Sequence, residues 1–104
     1  MVETEWPEIG GKTLRYGGHT WELTGTVAVR NTGELLTVDA KRISDVSQPR
    51  ATLRFACVER GPSLNPGNLG EHFDRIERDR RAHYLVVKNE SRTYRYELLG
   101  IDRV

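Results

Sequence analysis

The amino-acid sequence predicts an α+β domain: a strongly coiled, partly barrel-like antiparallel sheet of about six strands with one helix, in the order ββββαββ. Three observations carry this expectation. Apolar and polar residues alternate over most of the chain, which is the period of half-buried strands. Gly-Gly, Asn-Thr-Gly and Asn-Glu-Ser steps fall between the alternating runs, where hairpins turn. Only the stretch after Asn68 spaces its apolar residues as a helix does. The 104 residues make one domain, and a chain of that size buries roughly two thirds of its unfolded surface, enough for a core that needs no disulfide or metal.

Residues 1–11 hold three glutamates, Pro7 and the Gly10-Gly11 step without periodicity, and are expected to form a flexible acidic arm on a domain spanning 12–104. Leu14 and Tyr16 then alternate with polar neighbours up to Gly17-Gly18, a two-residue turn that accepts positive φ angles. That turn sets Leu14 opposite Trp21 and Tyr16 opposite His19, with Arg15 against Thr20 and Thr13 against Glu22 on the other face. At the next turn, Asn31 to Glu34, pairing Val29 with Leu36 and Val27 with Val38 keeps the apolar side chains on one face and sets Gly25 against Ala40. Gly25 in mid-strand marks a bulge or bend. After a polar loop from Ser44 to Arg50, a fourth strand points Ala51, Leu53, Phe55 and Cys57 inward and Thr52, Arg54 and Glu59 outward.

Arg60 to Gly67, with two prolines and two glycines, reads as a loop. Asn68 and Glu71 then form an Asn version of the capping box, and Leu69, His72, Phe73 and Ile76 predict a helix that ends near Arg81. Three acid-before-base pairs at i,i+4, Glu71 with Arg75, Asp74 with Arg78 and Glu77 with Arg81, support it by about 0.2–0.5 kcal/mol each. Two strands, Ala82–Lys88 and Arg92–Ile101, close the chain through a hairpin at residues 89–91. Tyr94, Tyr96 and Leu98 share a face, while Leu85-Val86-Val87 is apolar on both faces and belongs to a strand that is central or covered by the helix.

Composition excludes several classes. No apolar run approaches the eighteen or so residues of a membrane-spanning helix, so no membrane partner is expected. The acidic N-terminus is not a secretory signal, and a single cysteine fits a reducing compartment, so a cytoplasmic location is expected. Sixteen basic residues, thirteen of them arginine, against fifteen acidic ones leave a net charge of +1, which names no polyanionic partner.

Catalytic patterns are missing. His19, His72, His83 and Cys57 are not spaced to share a metal ion, so neither a metal nor a cofactor is expected. Cys57 sits on the inward stripe with Leu53 and Phe55, the place of a buried, unreactive thiol. The glycine-rich segment 61–70 lacks the Gly-Lys-Ser/Thr ending of a phosphate-binding loop and reads as a connection.

The leading expectation is therefore a non-enzymatic interaction module that binds a protein partner or itself through a sheet edge or a basic outer sheet face. Residues 41–60 hold five basic and two acidic groups, and Lys41, Arg42, Arg50 and Arg54 are the candidate contacts. A second expectation is nucleic-acid binding by the Arg/Tyr stretch 78–96, through Arg80, Arg81, Arg92 and Arg95 with the nearby tyrosines. A third is a small-molecule site or enzyme inside the coiled sheet, lined by Trp21, His72, His83 and Cys57.

Overall fold

The alternation resolves into eight antiparallel strands of one curled sheet: β1 (Val2–Glu5), β2 (Thr13–Tyr16), β3 (His19–Arg30), β4 (Leu35–Arg42), β5 (Arg50–Cys57), β6 (His72–Asp79), β7 (Ala82–Lys88) and β8 (Thr93–Arg103). The computed structural model describes residues 2–30, 34–58, 72–88 and 93–103. The strands run in the order β1-β3-β4-β5-β8-β7-β6, and β2 joins β1 on the outer edge of β3. The sheet rolls into a half-barrel. Tyr16 of β2 meets His83 of β7 edge to face with ring centroids 6.3 Å apart, although four strands separate β2 from β7 along the ladder.

The Gly17-Gly18 hairpin has the register that its sequence requires, with Leu14 opposite Trp21 and Tyr16 opposite His19. Both glycines have positive φ, 61° and 80°. Val29 faces Leu36 and Val27 faces Val38, again as expected, but Ala40 faces Leu23 rather than Gly25. The shift comes from a bulge: Thr24, Gly25 and Thr26 together oppose Asp39. Gly25 adopts φ +96°, and a Cβ there would lie 3.3 Å from the carbonyl oxygen of Trp6.

That close approach gives residues 2–11 their place. The segment expected as an arm carries β1, a 3₁₀ turn at Pro7–Ile9, and the connection to β2. Its backbone crosses the bulge through Trp6 N–H to Gly25 O at 2.9 Å and Gly11 N–H to Leu23 O at 2.9 Å. Trp6 and Ile9 drop into the concave face, where Ile9 is fully buried and shares the core with Phe73 of β6. The turn therefore fills the seam between the two edges of the half-barrel.

The α+β expectation is overturned. Among the described residues there is no α-helix, and His72–Asp79, expected inside one, is a strand paired with β7. The cause is a second bulge. Phe73 opposes Val87 and Arg75 opposes Val86, so Asp74 is an extra residue that changes which face the following side chains take. Phe73 and Ile76, three residues apart, thus both turn to the core, and a helical spacing arises within a strand. Among the described residues the i,i+4 pairs of Asp74 with Arg78 and of Glu77 with Arg81 do not form, and Glu71 lies outside them. Arg75 instead pairs with its neighbours Asp74 and Glu77. β7 lies between β8 and β6, and Leu85, Val86 and Val87 are all fully buried, Leu85 and Val87 in the concave core and Val86 on the opposite face. The loop and cap expected at 60–71 and the hairpin turn at 89–91 lie outside the described residues.

If the N-terminal turn plugs the core, Ile9→Ala is expected to cost about 2–5 kcal/mol in urea unfolding, the range for truncating a fully buried isoleucine. A cost below about 0.5 kcal/mol, the usual range for a surface position, refutes that role.

Candidate functional site

The two ends of the half-barrel differ. At one end β3 begins, β4 ends and β7 begins, and the concave face there carries Tyr16, His19, Trp21, Arg42 and His83. The Trp21 indole N–H donates to the Tyr16 carbonyl at 3.1 Å, and the Arg42 guanidinium lies 5.9 Å from the centroid of the Trp21 ring. Arg42 is also bound to Asp45, while its Nε is buried without a hydrogen-bond partner among the described residues. His19 Nδ1 lies 3.3 Å from the Ser44 hydroxyl, which also accepts the Thr20 N–H at 3.4 Å. A Ser-His contact needs a carboxylate on the imidazole to make a hydrolytic relay. The nearby Asp45 is taken by Arg42. These contacts hold the 43–49 loop over the end of the core.

The third sequence expectation places Trp21, His83, His72 and Cys57 around one hollow, and the register separates them. Trp21 and His83 lie at the end just described. Cys57, half-buried, pairs with Tyr96, and His72 opposes Lys88, both at the opposite end. Between the ends the interior is filled by Leu23, Val38, Leu53, Phe55, Leu85 and Tyr96, none more than 1% exposed. Among the described residues no group of three His, Cys, Asp and Glu side chains converges, and no helix is long and apolar enough to cross a membrane.

The basic candidates are dispersed. Lys41 and Arg50 face each other across β4 and β5, and Arg54 follows on the same convex face, but Arg42 is on the concave side. Lys41 lies 3.7 Å from Glu22, and Arg54 binds Asp102 at 2.8 Å. Arg54 reaches that partner across Gly100, where a Cβ would come within 3.2 Å of the guanidinium. Arg80 and Arg81 form the exposed turn between β6 and β7, and Arg92 lies outside the described residues. Arg95 stacks over Tyr84 at 4.2 Å and lies 3.6 Å from Glu77. Tyr94 and Tyr96 are buried in the core, on the face opposite Arg95, so these two tyrosines offer no stacking platform beside it.

The edge of β6 is a feature that the helical reading hid. Arg75 and Glu77 stand on its convex face, and Ile76 turns toward the core, half-buried at the rim. Asp74 bulges just before them. One signal in the sequence points to this strand: a register test of 73–79 against 82–88, allowing one extra residue, sets Phe73 against Val87 and Ile76 against Leu85. Around it runs a lattice of ion pairs, with Asp74 bound to Arg75 and 3.5 Å from Lys88, and Glu77 bound to Arg75 at 2.6 Å.

Burial holds the His83 imidazole below its ordinary pKa, and the charge of Arg78 acts in the same direction. The unfolded chain takes up this proton near the ordinary value of about 6.5 and the folded chain only at lower pH. The contribution to stability is therefore complete above about pH 6.5 and declines as the pH falls below it. Thermal unfolding of the protein is expected to move to lower temperature between about pH 6.5 and 5, with a shallower fall in His83→Gln. Parallel curves for the two proteins contradict this.

No family model, curated protein or solved structure matches this chain.

Proposed function

We propose that the protein is a non-enzymatic interaction module that takes an extended protein segment, from a partner or a second copy, as an added strand on β6. The observation that carries this reading is the inequality of the two sheet edges. One edge is divided between β1 and β2, four residues each, by the turn that crosses the Gly25 bulge. The other is β6, eight residues long and, among the described residues, paired only with β7. An edge strand presents N–H and C=O groups to any extended chain that arrives in register.

Side chains define what fits. A strand laid beside β6 meets Arg75 and Glu77 on the convex face and Ile76 on the concave face, so it needs an apolar residue flanked by charges of complementary sign. The convex face of β4 and β5 offers less. Both strands have bonded neighbours on either side and present no open ladder.

Proline separates the edge from the fold. Successive N–H groups of a strand point to opposite sides, so of Glu77→Pro and Arg78→Pro one removes a donor aimed at β7 and the other a donor aimed outward. The variant that keeps its fold by circular dichroism is expected to lose association about tenfold or more. Light-scattering mass reads self-association, and retention on the immobilised full chain reads a partner. Undiminished association by that variant, or a wild-type chain that stays monomeric and retains nothing, overturns the proposal.

A further inference from the structure

The sequence of the β6 edge is complementary to itself. Read from Asp74, it runs Asp74, Arg75, Ile76, Glu77, Arg78. Laid antiparallel against an identical strand with Ile76 facing Ile76, it sets Arg75 against Glu77 and Glu77 against Arg75, with Asp74 of the bulge beside Arg78 and Phe73, which turns to its own core, opposite Asp79. The three central pairings join opposite charges or two apolar groups. The faces agree as well, since Arg75 and Glu77 occupy the convex side and Ile76 the concave side of each sheet. Directly opposed side chains in an antiparallel pair are about 4.5–5.5 Å apart at Cβ, close enough for each match to count.

Neighbouring registers are penalised. A shift of one residue sets Arg75 against Arg78 or Asp74 against Glu77. A shift of two sets Arg75 or Glu77 against itself. A shift of three toward the N-terminus matches charges again, but its axis falls beside Asp74, where the bulge interrupts the ladder. A contact in which residue i meets j and j meets i closes a two-fold dimer and leaves no further edge of the same kind.

We infer that the segment recognised by β6 is β6 of a second copy, paired antiparallel about Ile76 so that two half-barrels join into one continuous sheet. This rests on the reading of β6 as a docking edge, and it names the occupant. The contact is short, which places it among the weak and transient interfaces. Its opposed charges make it sensitive to salt.

Charge exchange tests both partner and register. For the full-length chain, light scattering is expected to give a mass that rises toward two copies with concentration and falls back with added salt. Arg75→Glu and Glu77→Arg, each alone, set like charges against each other twice and are expected to weaken association about tenfold or more. Mixed in equal amounts, the two variants are complementary only to each other and should recover the dimer. The double exchange Arg75→Glu with Glu77→Arg in one chain should also recover it, and this keeps the test decisive if a single variant misfolds. A wild-type dimer indifferent to the single exchanges, or a mixture that stays monomeric, overturns the inference. So does a wild-type chain that stays monomeric at every concentration; if its capture of another protein is still lost with the edge proline, the docking edge stands and only the second copy is excluded. A dimer that survives the edge proline removes both.

Discussion

A single sheet has two faces, and where the described residues form no second layer, the sheet hides one of them by rolling on itself. Every other feature of the molecule answers to that constraint. The concave face takes nearly all of the large apolar side chains, including Trp21, Leu23, Phe55 and Tyr96. The convex face carries most of the charged side chains, although Val86 and Thr37 on that face are buried. Rolling requires the strands to bend, and they bend at bulges: three residues of β3 face Asp39, Asp74 is extra in β6, and Leu99 is extra in β8 where Arg54 faces Gly100 and Phe55 faces Leu98. A half-barrel still leaves a seam, and Trp6 with Ile9 fills it from the N-terminal turn.

Where one face is buried and no residue is inserted, the sequence is legible down to register. Leu14 with Trp21, and Val29 with Leu36, follow from the need to keep apolar residues on one side, because a one-residue slip would turn all of them to water. Bulges break that reading in two ways. At Gly25 the added residues preserve the alternation and only displace the partner of Ala40. At Asp74 one added residue reverses it, and Phe73 with Ile76 takes on the spacing of a helix. The charges of 74–81 add to the helical spacing, since acids and bases spaced for helical pairs also pair along a strand, as Arg75 does with Asp74 and Glu77. The N-terminal segment was opaque for a different reason. Its two core residues, Trp6 and Ile9, are three apart around a 3₁₀ turn, and one turn is too short to display any period.

Candidate contacts were legible as residues but not as surfaces. Lys41 and Arg54 do lie on the convex face, yet the strands that bring them there also bring Glu22 and Asp102 beside them. Counting charges along 41–60 omits those partners, because they come from β3 and β8. Arg42 went to the other face through parity alone, one position beyond Lys41. The tyrosines of the Arg/Tyr stretch behave likewise: alternation that suggested an interleaved surface sends Tyr94 and Tyr96 inward and leaves Arg95 outside with Tyr84.

The two edges of the sheet solve one problem by different means, and the difference follows from packing. The β1 and β2 edge can be interrupted because the interruption itself supplies Trp6 and Ile9 to the core. β6 has no such freedom: Leu85, Val86 and Val87 are buried along β7 and need a bonded neighbour over that length. Its outer ladder must therefore stay continuous beyond the bulge, and protection falls to the side chains. Alternating acid and base on an edge repels most strands that approach it, since nearly every register brings like charges together. The same alternation is permissive toward a strand carrying the reversed order. A charge pattern that reads as its own complement backwards disfavours most registers while leaving one geometry open, and the recognition proposed at β6 follows from how such an edge is defended.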